Sequence, residues 1–287
     1  MRRWLAAGCL TASLCVYADN NPTINMGYVE VNDNRLSTAG CYIRADNGKP
    51  FFTMVGIFAA NINGSDPNRP EIYFNPQVDA LLNHTNQVSL LQAKGIKVLL
   101  TLLGNHQNAG WSCMTDANAI DMFANNVVDT INRYKLDGVD IDDEYSTCTT
   151  NDTSMIRIAQ AIRNHPRFKG KILSKALFSD QRYFAANYNG YRLADFLDYG
   201  WEMSYGYSGY ERRLSPYVQY GVMKNHLALG ESTHYGTLPV KNAASYILQN
   251  KYGGIMVYDV KSNSRDYLSA LAQTEYQTDV IALPGCE

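Results

Sequence analysis

Between Leu136 and Tyr145 the chain reads Leu-Asp-Gly-Val-Asp-Ile-Asp-Asp-Glu-Tyr. Asp140, Asp142 and Glu144 stand at a strict spacing of two, with Val139 and Ile141 on the alternate positions. On a β-strand, residues two apart project from the same face, about 6.6 Å apart along the chain. Such a strand lines the three carboxyl groups up in one row and turns the apolar pair the other way. Like charges held this close cannot all ionise freely, and the proton they retain makes one carboxyl an acid near neutral pH. A solvated acidic loop would not interleave Val and Ile with its acids. A calcium loop would use several glycines and take its ligands from one flexible turn. The pattern therefore reads as acid–base catalysis.

The order Asp137, Gly138, Asp140, Asp142, Glu144 resembles the Asp-Gly-x-Asp-x-Asp-x-Glu signature of glycoside hydrolase family 18. Flanking segments are similar to its endo-β-N-acetylglucosaminidase H-like branch: Gly27 to Asn32, Ile57 to Asn63, Gly95 to Leu100, Leu103 to Gln107, and the Asp142-Asp143-Glu144-Tyr145 ending. The likeness is clear from about Gly27 to Tyr145 and weaker from there to about Ala272. It implies that Glu144 is general acid and then base, that Asp142 orients the substrate's N-acetyl group, and that Asp140 backs Asp142 electrostatically. The acetamide oxygen would be the nucleophile, giving an oxazolinium intermediate with no bond to the enzyme. Asp143 has the other parity and falls outside these roles. Met203-Ser204-Tyr205 resembles the Met-x-Tyr of the family's sixth strand, which implies that Tyr205 donates a hydrogen bond to the acetamide oxygen; simple packing is the alternative. Gly206 stands where many chitinases carry an acid, and Trp201-Glu202 where the branch carries Trp-Asn-Pro.

The elements that must hold such a row alternate between strand and helix patterns, which predicts parallel βα units. Candidate strands are Gly27 to Val31, Met54 to Ala60, Lys97 to Leu103, Gly138 to Asp142, Lys171 to Leu177, Leu197 to Met203, Leu227 to Gly230 and Gly254 to Tyr258. Their continuous apolar runs suit strands covered on both faces. Helical patterns cover Pro76 to Ala93, Ala117 to Tyr134, Ser154 to Asn164, Val240 to Asn250 and Ser264 to Ala272, with Asp116, Thr153 and Asn263 as candidate N-caps. Asp180 to Asp195 has poor helical periodicity and reads as a loop. Eight strands make a single (β/α)8 TIM barrel spanning residues 19–287, some of its helices short or irregular.

Residues at the carboxyl ends of barrel strands converge on the active site. That places Glu30, Asn61, Asn105, Glu144, Tyr205, Glu231 and Tyr258 at one rim. Asn61 and Asn105 serve equally as sugar contacts or loop caps, and Glu30 and Glu231 as sugar ligands or rim charges. Among the 21 tyrosines, Tyr205 and Tyr207 cluster with Tyr210, and Trp111 follows the third strand. An aromatic face against a sugar ring suits a carbohydrate cleft, so Trp111, Tyr207 and Tyr258 join the substrate-binding candidates, with core packing as the alternative.

Met1 to Ala18 has the pattern of a signal peptide: Arg2 and Arg3, an apolar stretch, and Val16-Tyr17-Ala18 before Asp19. The expected location is outside the cytoplasm, secreted or periplasmic; acylation at Cys9 is the minor alternative. Without the leader the balance is 23 basic against 27 acidic residues, which offers no polyanion-binding surface, and nucleic acid is not an expected partner. No other run reaches membrane-span length. Cys41, Cys113, Cys148 and Cys286 lie beyond the leader, and four cysteines in an exported chain allow three pairings. Cys113 and Cys148 follow consecutive strands, so their loops should be neighbours. That favours Cys113 with Cys148 and leaves Cys41 with Cys286. The five histidines show no metal-site spacing, and no cofactor motif is present.

The resemblance implies cleavage of the β-1,4 bond between the two core N-acetylglucosamines of asparagine-linked glycans, with glycoproteins or released glycans as substrate; a monomer is expected. Asn63 to Phe74 occupies the place of a glycan-contacting loop, so high-mannose or hybrid glycans are expected. A chitinase is the enzyme alternative. Against it, Leu-Gly-Asn-His ends the third strand in place of Ser-x-Gly-Gly, and Tyr258 stands where chitinases place Trp. A sugar-binding lectin is the non-enzymatic alternative, against which Asp142 and Glu144 are both kept.

Overall fold

The computed structural model describes residues 23–284. The leader, Cys9 and Cys286 lie outside the described residues. Eight parallel strands form the frame: β1 (Ile24–Glu30), β2 (Met54–Asn63), β3 (Lys97–Gly104), β4 (Gly138–Ile141), β5 (Ile172–Leu177), β6 (Tyr199–Glu202), β7 (Leu227–Ser232) and β8 (Gly254–Tyr258). Each pairs with the next, and β8 returns to β1 with Ile24 opposite Gly254, so the sheet is a closed barrel. Among the described residues eight helices wrap it: α1 (Pro76–His84), α2 (Gln87–Ala93), α3 (Ala117–Arg133), α4 (Ser154–Asn164), α5 (Gln181–Ala185), α6 (Tyr210–Gln219), α7 (Thr237–Asn250) and α8 (Arg265–Tyr276).

The strands bury both faces, and alternation separates two cores. Val29, Ile57, Leu100, Val139, Ile141 and Leu173 pack outward under the helices. Met26, Tyr28, Met54, Leu99, Trp201 and Met256 fill the barrel interior. This period of two turns Asp140 inward while its neighbours Val139 and Ile141 face the helices.

Helix ends follow local chemistry. Asp116 caps α3, its carboxylate accepting from the Ala119 N–H at 2.8 Å. At α4 the expected Thr153 makes no side-chain cap; Asn151 Oδ1 accepts from the Ser154 N–H at 2.8 Å instead. The N-cap position of α8 is Ser264 rather than Asn263, without a side-chain cap. The stretch expected as one helix from Pro76 to Ala93 breaks at Thr85, which is extended at φ −131°. From Asp180 to Asp195 there is one short helix, α5, and a 3-10 turn at Leu193–Asp195. The helical pattern missed α6 altogether, because Pro216 inside it reads as a breaker.

Cys113 and Cys148 form the expected disulfide, with Cα atoms 5.8 Å apart, tying the loops after β3 and β4. Cys41 is disulfide-bonded too. Its expected partner, Cys286, is outside the described residues.

Candidate active site

The signature row climbs from the barrel interior to its mouth. Asp140 has no exposed surface and accepts from four strands: Tyr28 Oη (2.6 Å) on β1, Thr101 Oγ1 (3.2 Å) on β3, Ser174 Oγ on β5 and Trp201 Nε1 (3.0 Å) on β6. Burial raises its pKa, opposed by these donors. Both carboxylate oxygens are occupied, so Asp140 is a fixed anchor.

Asp142 lies one step higher, just past the end of β4, its N–H donating to Leu102 O at 3.1 Å. It too is buried, but its Oδ1 has no hydrogen-bond partner among the described residues. Burial pushes its pKa well above the usual carboxylate range, and the charges of Glu144 and Asp140 push the same way. Glu144 is half-buried, and burial raises its pKa as well, opposed by the Lys175 ammonium. Gly104 on β3 lets this end of the row pack closely: a Cβ there would stand 2.5 Å from Glu144 O. Asp143, on the other parity, turns away and accepts from Ser112 Oγ at 3.0 Å.

Asp142 and Glu144 line a cleft of about 470 Å³ with Tyr28, Glu30, Tyr205 and Tyr258. Tyr205 and Tyr258 stack with centroids 5.6 Å apart and planes at 13°, and Tyr258 Oη donates to Glu30 Oε1. Burial raises the pKa of both tyrosines, so each hydroxyl keeps its proton. Gly230 on β7 makes the room: a Cβ there would meet Tyr205 Cε1 at 2.9 Å. Phe58, Tyr145, Phe178 and Met203 complete the wall; Tyr145 and Met203 belong to the motifs read in the sequence, but none of the four is among its site candidates.

Other candidates fall elsewhere. Trp111 is 0% exposed, packed edge-on against Phe123, with Nε1 donating to Leu102 O at 2.7 Å. It is a core residue and leaves the sugar-contacting set. Glu231 is also 0% exposed, accepting from the Gly206 N–H at 2.9 Å and lying 3.7 Å from Arg213 Nη1. It holds the loop after β6 and has no surface for a sugar. Asn61 Nδ2 donates to Gly104 O (3.2 Å), and Asn105 Nδ2 to Asn63 Oδ1 (2.8 Å), so both amides tie rim loops together. Tyr207 stands 72% exposed outside the cleft wall. Asn63 to Phe74 is an ordered turn-back, Glu71–Tyr73 pairing antiparallel with the end of β2.

Two buried ionic groups went unread in the sequence. Arg213 on α6 pairs with Glu202 at 2.5 Å and donates to Gly230 O and Tyr207 O. Lys175 on β5 pairs with Asp180 at 2.5 Å. A lysine inside the apolar run Ile-Leu-Ser-Lys-Ala-Leu was the available signal for the second, since lysine is almost never fully buried unless paired.

A parallel barrel that holds two carboxyl groups of raised pKa at its mouth, beside an aromatic wall, has the parts a glycoside hydrolase needs. The chain belongs to glycosyl hydrolase family 18, whose model matches residues 15–235. It is 35% identical over 271 residues to an endo-β-N-acetylglucosaminidase of Flavobacterium sp. (strain SK1022), covering 90% of this chain and 81% of that one. It is 28% identical over 254 residues to endo-β-N-acetylglucosaminidase F1 of Elizabethkingia meningoseptica, covering 84% and 73%. The fold matches that of Bacteroides thetaiotaomicron EndoBT-3987, solved with a Man5GlcNAc product, at a TM-score of 0.76 and 23% identity. That match covers 93% of this chain and 64% of the other.

Proposed function

We propose that this protein is an exported endo-β-N-acetylglucosaminidase that hydrolyses the β-1,4 bond between the two core N-acetylglucosamines of N-linked glycans, high-mannose or hybrid. The relatives named above support the bond, and EndoBT-3987 has been solved with a Man9GlcNAc2Asn substrate. The observation that carries the mechanism is the contrast between Asp140, with both oxygens occupied, and Asp142, buried with one oxygen free beside Glu144.

In this reading the acetamide N–H of the bound sugar donates to Asp142, and Tyr205 Oη donates to the acetamide oxygen. That oxygen attacks the anomeric carbon as the bond to the leaving oxygen breaks, and Glu144 gives its proton to the leaving sugar. Water then attacks the anomeric carbon as its bond to the acetamide oxygen breaks, which restores the acetamide; Glu144 takes the proton from the water, and the configuration is retained. Burial suits Glu144 to the first step, because it keeps the carboxyl protonated to higher pH than an exposed glutamate.

Incubation of the protein with a high-mannose glycoprotein, read by intact mass beside a chitin-oligomer control, tests this. Release of the glycan with one N-acetylglucosamine left on asparagine is the expected result. Cleavage of the oligomers alone would make the protein a chitinase, and turnover of neither oligomers nor any glycan class would make it a lectin.

A further inference from the structure

A second cavity, of about 270 Å³, shares Asp142, Glu144, Phe178 and Met203 with the first. Asp142, Asp143 and Glu144 reach it from the end of β4, Asp180 from the loop after β5, Arg182 and Tyr183 from α5, and Lys175 from β5 itself. Tyr217 of α6 joins through its hydroxyl, which donates to Asp180 at 2.7 Å. Four carboxyl groups therefore face two cations. Arg182 is half exposed and its guanidinium lies by Asp152 and Thr150, on the outer side. Lys175 is 1% exposed, fixed by Asp180 and by donation to Ala176 O at 2.7 Å. A buried ammonium loses its hydration and persists only where fixed negative charge replaces it. One such charge is Asp180; the catalytic row is the rest.

We propose that Lys175, anchored by Asp180, is a positioning residue for the cleavage, its ammonium being the fixed counter-charge that lets Asp142, Asp143 and Glu144 share one wall and that sets the pH range in which Glu144 works. This rests on the glycosidase reading above. The electrostatics agree in direction. Burial works against the charged lysine, yet Asp180, Asp143 and Asp142 hold it above the ordinary lysine value, and Lys175 in turn opposes the rise at Asp142, Asp143 and Glu144.

The test is the pH profile of kcat/KM on the glycoprotein for wild type, Lys175→Met, Lys175→Arg and the double variant Lys175→Met/Asp180→Asn, which avoids a lone buried carboxylate should the single change fail to fold. Removing the ammonium makes the row harder to ionise, so both limbs should move to higher pH, the basic limb by about one unit. The double variant should shift the same way by less, and Lys175→Arg should leave the limbs in place. Loss of rate at every pH with unmoved limbs in the folded Met variants would make Lys175 merely structural and overturn the proposal. Wild type inert towards the glycoprotein would defeat the glycosidase reading instead.

Discussion

In the proposed mechanism Glu144 and Asp142 divide the work by height in the barrel, and substitution separates their contributions. Glu144→Gln keeps the shape of a half-buried side chain and should fold normally, yet lose about 100- to 10,000-fold in kcat, the range of a positioned general acid. Asp142→Asn should slow formation of the oxazolinium, and wild-type rates in either variant would remove the assignment. Trp111 belongs to the opposite category. Because it lies wholly inside the core with its indole N–H bonded to Leu102 O, Trp111→Phe should leave KM unchanged and lower unfolding free energy by roughly 1–3 kcal/mol in urea titration. The acid row was legible in the sequence because its spacing of two matches the strand period, although β4 ends at Ile141 and only Asp140 of the three lies on it. What holds Asp140 was not legible. Tyr28, Thr101, Ser174 and Trp201 meet it only because barrel closure brings four strands around one point, and no local pattern encodes that closure.

At the level of elements, all eight barrel strands were readable from apolar runs, and the errors gathered where polar or proline residues interrupt a pattern. Pro216 hid α6, and with α6 went Arg213 and the true role of Glu231. An acid at a strand end reads as a rim group until the cation that buries it is known. Arg213 now explains how the loop carrying Tyr205 is held: Glu202 takes the Ser204 hydroxyl at 2.6 Å, Glu231 takes the Gly206 N–H, and Arg213 joins both acids to Tyr207 O. Arg213→Met would leave two carboxylates buried without their partner and should cost about 3–5 kcal/mol. Lys at the same position keeps charge but not the fork, so it should recover stability in part and kcat less, as Tyr205 loosens over the cleft. Equal loss of stability and no change in kcat for Arg213→Lys would show that the clamp does not reach Tyr205.

Across the whole molecule, the acid row proposed for catalysis sits at the carboxyl end of the barrel while a separate titrating group sits at the amino end. Glu275, in the last turn of α8, accepts from Asn25 Nδ2 at 3.0 Å beside the first residues of β1, and its Oε1 is buried without a partner among the described residues. Burial pushes its pKa from 4.5 up to about 8, opposed by the Asn25 hydrogen bond and the Arg44 charge. The folded protein therefore binds a proton that the unfolded chain has released. Below pH 4.5 both states hold it and the full contribution to stability is present; as pH rises towards 8 the unfolded state gains the advantage, and stability falls. Glu275→Gln cannot ionise, so its unfolding free energy should hold steady over that interval while wild type declines, with both proteins alike near pH 4.5. Because the site lies at the other end of the barrel, the variant should keep the wild-type pH profile of kcat/KM. Urea unfolding between pH 4.5 and 8.5 measures the first part, and parallel decline of the two proteins would mean that Glu275 is not the group that limits alkaline stability.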